Sequence, residues 1–205
     1  MRAMLAGLAM LMPVSATAQG TYDATYVVQQ NGREIGRERV VLRAGQGGDN
    51  SRLELDSRYA GATETARAVL TRGAGSTFES LQLELRQQAG SETIRVSSQG
   101  NRIFITTTAQ GARGGRELPG GPGVIMLDDR LLGLLVIVPD VATADGVRLT
   151  AVSPRTGKRT PFSARRQAQR VELTGEVAGH IDLDADGRVE RITLDNGIVL
   201  SRLPK

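Results

Sequence analysis

Three features of the sequence predict an all-β fold. Apolar residues recur with a period of two over most of its length, short Gly-containing dipeptides interrupt these runs at hairpin spacing, and only one short segment shifts to helical spacing. Strict alternation gives a strand one buried and one wet face, the habit of antiparallel sheets. The expected architecture is a curved antiparallel meander of about ten to twelve strands. It forms a half-open β-barrel with one short helix packed in or across its concave face. A two-layer β-sandwich is the alternative, since a sheet of this many strands must curl or split.

The chain opens on MRAMLAGLAMLMPVSATAQG. Arg2 precedes an apolar run from Met4 to Val14 that is too short to span a bilayer, and Ala16-Thr17-Ala18 offers small residues for signal peptidase. Residues 1–18 therefore read as a signal peptide and 19–205 as a single domain, periplasmic or secreted. No later apolar run reaches the length of a membrane span. Asn31-Gly32 joins Tyr22–Gln30 to Arg33–Arg43, and this dipeptide suits a type I′ turn because both central residues need positive φ. Leu53, Leu55 and Tyr59 then alternate with Arg52, Glu54, Asp56 and Arg58. Leu81, Leu83 and Leu85 continue the pattern, as do Ile94 and Val96 around Arg95. Gly100-Asn101 marks a further reversal.

Residues 111–123, GARGGRELPGGPG, read as a Gly/Pro loop whose one large apolar side chain is Leu118. After it, Asp128 can cap a helix over 128–138, with Leu131, Leu134, Leu135 and Val138 on one face and Pro139 as its stop. Leu132, Val136 and Ile137 make the other face apolar too, so this helix needs cover on both sides. Val136–Val138 would also suit a buried strand. Beyond it, Val171 and Leu173, then Ile181 and Leu183, resume the alternation, with turns at Thr156-Gly157, Asp186-Gly187 and Asn196-Gly197.

Composition narrows the function classes. The chain has no cysteine, which removes disulfides, thiolate chemistry and thiol-based zinc sites. Its net charge of +4 comes from basic residues interspersed with Asp and Glu, as on solvated strand faces, and aromatic residues make up only 3%. Nucleic-acid binding by base stacking lacks its platforms. One local excess of charge, Arg155, Lys158, Arg159, Arg165, Arg166 and Arg170, stands out as a solvated rim or a site for an anionic partner.

No catalytic constellation emerges. Asp182-Leu183-Asp184-Ala185-Asp186-Gly187 fits the first half of an EF-hand calcium loop, but position twelve is Thr193 and the flanks alternate as strands. Asp182, Asp184 and Asp186 are thus a weak calcium candidate within a β-hairpin. His180, the one histidine, falls on the same strand in an outward phase. No G-x-S-x-G elbow is present, and Gly157-Lys158-Arg159-Thr160 lacks the upstream glycine of a phosphate loop. Paired carboxylates for glycoside hydrolysis would be expected beside aromatic sugar platforms, in which the chain is poor. The expectation is a non-enzymatic protein without cofactor.

Tyr26, Asn31-Gly32, Ile35-Gly36 and Arg39 at the front form a pattern with Leu183-Asp184, Asp186-Gly187-Arg188-Val189, Arg191-Ile192, Gly197-Ile198, Leu200 and Arg202 at the back. This pattern resembles uncharacterised exported bacterial β-rich families, which look like the half-barrel of the periplasmic lipoprotein carriers. The resemblance covers the two ends and implies an apolar concave face under helical plugs. Here one helix candidate stands where the carriers have more.

Two functions follow as expectations. In the first, the concave face binds a lipid or other apolar ligand. Its lining would be Leu53, Leu55, Leu81, Leu83, Leu85, Ile94, Val96, Leu131, Leu134 and Leu135, with Arg155, Lys158, Arg159, Arg165 and Arg166 near an anionic headgroup. In the second, the protein is a structural or adaptor module of the cell envelope, its apolar face is a packed core, and its partner is another protein.

Overall fold

A computed structural model describes residues 22–44, 51–60, 65–73, 78–88 and 90–204. The expected signal peptide, 1–18, lies outside these residues. The described chain forms one open, curved sheet of fifteen strands, more than the ten to twelve the turn signals suggested.

The first eight strands are β1 (Tyr22–Gln30), β2 (Arg33–Ala44), β3 (Ser51–Tyr59), β4 (Thr65–Arg72), β5 (Ser80–Gln87), β6 (Gly90–Gln99), β7 (Arg102–Ala109) and β8 (Ala112–Pro119). After the short β9 (Val124–Met126) comes an inner helical segment, a 3-10 turn over Leu132–Ile137 continued by α1 (Val138–Val141). The chain then runs through β10 (Val147–Val152), β11 (Arg159–Gln167), β12 (Arg170–Gly175), β13 (Gly179–Leu183), β14 (Val189–Leu194) and β15 (Ile198–Arg202).

Spatial order is β8 through β1, then β15 down to β9, so β1 joins the two halves by pairing with both β2 and β15. All neighbours are antiparallel except β9 and β10. Asn31 and Gly32, at φ 51° and 80°, make the first hairpin as their types require. The four other expected reversals, at residues 100–101, 156–157, 186–187 and 196–197, all fall between strands.

The two edge strands, β8 and β9, are consecutive in sequence. A seam joins β8 to the β10–β11 hairpin, where Arg116 donates to the carbonyls of Thr156 and Arg155 in the turn and Arg159 of β11 donates to that of Pro119. Side chains rather than a ladder bridge the seam.

Two expectations are corrected. Residues 112–119 of the expected Gly/Pro loop form β8, and only the stretch after Pro119 is a connection. An edge strand needs a ladder partner but no apolar face. β8 pairs with β7 along its whole length while nearly all its side chains stay exposed. The expected helix over 128–138 begins later, at Leu132, and runs to Val141. Pro139 lies in the first turn of α1, where its missing N–H costs nothing, instead of ending the helix. Asp128 does not cap it; its carboxylate accepts from the Arg130 N–H in the approach loop.

The inner segment is buried all round from Leu131 to Pro139 and belongs to one core with the inner faces of both halves of the sheet. Its far end is tied to both halves. Arg72 of β4 pairs with Asp140 at 2.7 Å, and Arg166 of β11 donates to the Pro139 carbonyl at 3.2 Å.

Candidate functional site

On β2 the inner phase runs Gly36, Glu38, Val40, so period-two geometry carries a carboxylate into the core, where it is fully buried. Three donors converge on it. The Tyr59 hydroxyl reaches Oε1 at 2.7 Å, the Leu132 N–H reaches Oε1 at 3.1 Å, and the Gly133 N–H reaches Oε2. Glu38 thus supplies the acceptor that the first turn of the inner helix lacks within itself. Burial pushes its pKa up to about 7, against the lowering pull of those three hydrogen bonds. Gly133 is what permits the approach. A Cβ there would sit 2.6 Å from Leu55 Cδ1 and 2.8 Å from both Glu38 Oε2 and Val40 Cγ2.

The second buried acid lies where the approach loop meets the open end of the sheet. Asp128 accepts from the Arg130 N–H at 3.2 Å and stands 3.8 Å from an Arg155 guanidinium nitrogen. Burial, and then hydrogen bonding with Asp129, push its pKa up to about 6, against the opposing pull of the Arg130 N–H and Arg155. It borders a cavity of about 690 Å³ at the mouth of the β10–β15 half, within the usual size range of small-molecule sites. Leu127, Leu132, Val177, Leu194 and Ile198 give this cavity an apolar wall. Its charged groups come from the approach loop and three hairpin turns. Arg155 and Lys158 sit on the β10–β11 turn, Glu176 on the β12–β13 turn and Asp195 on the β14–β15 turn.

The residues expected to line a ligand site are brought together, but as packed core. Leu53, Leu55, Leu81, Leu83, Leu85, Ile94, Val96, Leu131, Leu134 and Leu135 are all 0–2% exposed and belong to the same cluster. A cavity lies at the mouth, where Leu132 is the contact with the inner helix. The expected basic cluster is divided. Arg155 and Lys158 line the cavity, whereas Arg159 bridges the seam, Arg165 donates to the Ala144 carbonyl and Arg166 holds α1.

The aspartates of the half EF-hand make the β13–β14 hairpin. Asp182 pairs with Arg170 at 2.7 Å and lies 3.5 Å from His180. Asp184 accepts from the N–H groups of Asp186 and Arg188 and pairs with Arg202 at 2.7 Å. Partial burial raises the Asp184 pKa, but the Arg188 N–H and Arg202 outweigh it and hold the group below the usual carboxylate range. Among the described residues no group of three or more His, Cys, Asp or Glu is arranged to hold a metal ion, and no helix is long and apolar enough to cross a membrane.

Glu38 was not singled out from the sequence, although its position two residues from Val40 in the inner phase was the signal. Glu176 and Asp195 carry no such signal, because only the order of the hairpins brings them to one mouth.

No family model matches the sequence, and no curated protein matches it. Among solved structures, the fold is similar to that of a DUF1089 family protein from Pseudomonas aeruginosa. The two are 10% identical, with a TM-score of 0.46, over 90% of this chain and 95% of that one.

Proposed function

We propose that this is an exported, non-enzymatic protein of the cell envelope that binds a lipid-like amphiphile at the mouth of its half-barrel. The observation that carries the reading is the cavity of about 690 Å³, apolar on one wall and charged around its rim. Such a division suits a ligand with an apolar body and a polar head. Each methylene buried there would contribute about 0.8 kcal/mol, so part of one acyl chain is enough for useful retention. Export rests on Arg2, the apolar run to Val14 and Ala16-Thr17-Ala18. The core-lining leucines take the role of a platform that fixes the inner helix and, through Leu132, the cavity wall.

The test is native mass spectrometry of the mature protein, purified from the periplasm without detergent, followed by organic extraction. A discrete adduct that extracts as an amphiphile supports the reading. A bare mass that stays unchanged after incubation with envelope lipids overturns it and favours the adaptor reading, in which another protein is the partner.

A further inference from the structure

The three hairpin turns at the cavity mouth differ in the sign of their charge, and this difference bears on the head group. Ordered along the sheet, the three turns at the mouth are β14–β15 with Asp195, β12–β13 with Glu176, and β10–β11 with Arg155 and Lys158. Strands pack about 4.8 Å apart, so successive hairpin turns stand roughly 10 Å apart, and side chains reaching inward narrow that gap. The rim thus changes from acidic to basic between the Glu176 turn and the Arg155 turn, a backbone gap of roughly 10 Å. The approach loop adds Asp128, Asp129 and Arg130, which leaves carboxylates and cations nearly balanced around one cavity.

We propose that the mouth cavity selects an amphiphile with a zwitterionic head, its anionic group at Arg155 and Lys158 and its cationic group toward Glu176 and Asp195. The inference rests on the amphiphile reading above and narrows it. A purely anionic head that reaches across the mouth would meet Glu176 and Asp195 as like charges. A neutral head would offer no opposite charge to Glu176 or Lys158. A dipolar head laid along the gradient satisfies both ends.

Three single-chain lipids with a common myristoyl chain separate these cases. They are zwitterionic lysophosphatidylcholine, anionic lysophosphatidylglycerol and neutral monoacylglycerol, titrated calorimetrically into the mature full chain below their micelle thresholds. The choline lipid is expected to bind about 10-fold or more tighter than either of the others. Glu176→Lys, at an exposed turn position, should weaken the choline lipid and tighten the glycerol phospholipid, with an unchanged circular dichroism spectrum. Equal binding of all three, or preference for the anionic lipid, overturns the head-group inference and leaves the amphiphile reading standing. Failure of all three to bind removes both.

Discussion

Glu38 and Asp128 both accept from backbone N–H groups of the short stretch Arg130 to Gly133, and their surroundings give them different work. Glu38 is sealed in the core, with every donor it meets supplied by Tyr59 or the first turn of the inner helix. Asp128 is nearly as buried but borders the cavity, and its neighbours include Arg155 and Ser153 on the facing turn. A sealed carboxylate with three donors is an anchor, since nothing else can take its place. One beside a cavity forms part of a wall that solvent or ligand can reach. The same functional group therefore anchors the inner helix at one site and borders a cavity at the other.

The comparison breaks most directly at the anchor. Glu38→Ala leaves two buried N–H groups and the part-buried Tyr59 hydroxyl without an acceptor and should cost about 3 kcal/mol or more in urea unfolding at pH 5. Asp128→Ala should cost less than about 1.5 kcal/mol, because water in the cavity can take over the Arg130 N–H. Equal costs would mean that the two acids do the same work. Next in size is Gly133→Ala, whose methyl would collide with Leu55, Glu38 and Val40, for an expected loss of about 1–3 kcal/mol in the same assay.

A smaller effect concerns pH. A carboxyl whose pKa rises on folding keeps, in the folded state, a proton that the unfolded chain has released. The stability linked to Glu38 is therefore complete below the ordinary carboxylate range and is lost as pH climbs through about 7, while that linked to Asp128 is lost through about 6. Thermal midpoints should fall between pH 5 and 8, and Glu38→Gln should flatten the upper part of that fall. A midpoint that rises over this range in the native protein would contradict the assignment. The smallest effect belongs to the seam. Arg116→Ala or Arg159→Ala should cost under about 1 kcal/mol, since both side chains are exposed, yet amide exchange in β8 should quicken without a change in β1 to β6.

Much of the sheet was legible in the sequence because alternation and hairpin turns are local signals, as at Leu53 to Tyr59 and at Asn31-Gly32. β8 was not, because Gly114, Gly115 and Pro119 lack the apolar content by which strands are recognised, and an edge strand held by backbone pairing needs none. The inner helix was placed too early because Leu131 to Val138 is apolar on every side. Such a run has no amphipathic phase to mark its start, and Asp128 offered a cap in the wrong place. The cavity depends on the order in which the hairpins line up, which no single stretch of sequence carries.

The pairing of β1 with β15 has a consequence for how the molecule is made. Most of the other ladders join strands close in sequence, so each half can assemble as its residues become available. The joint between Tyr26 and Arg202 closes the longest loop in the molecule, which places it late in folding and makes it slow. Until then β1 presents a bare edge along the side that β15 will cover. During synthesis, therefore, the edge of the first strand waits longest for the partner that covers it.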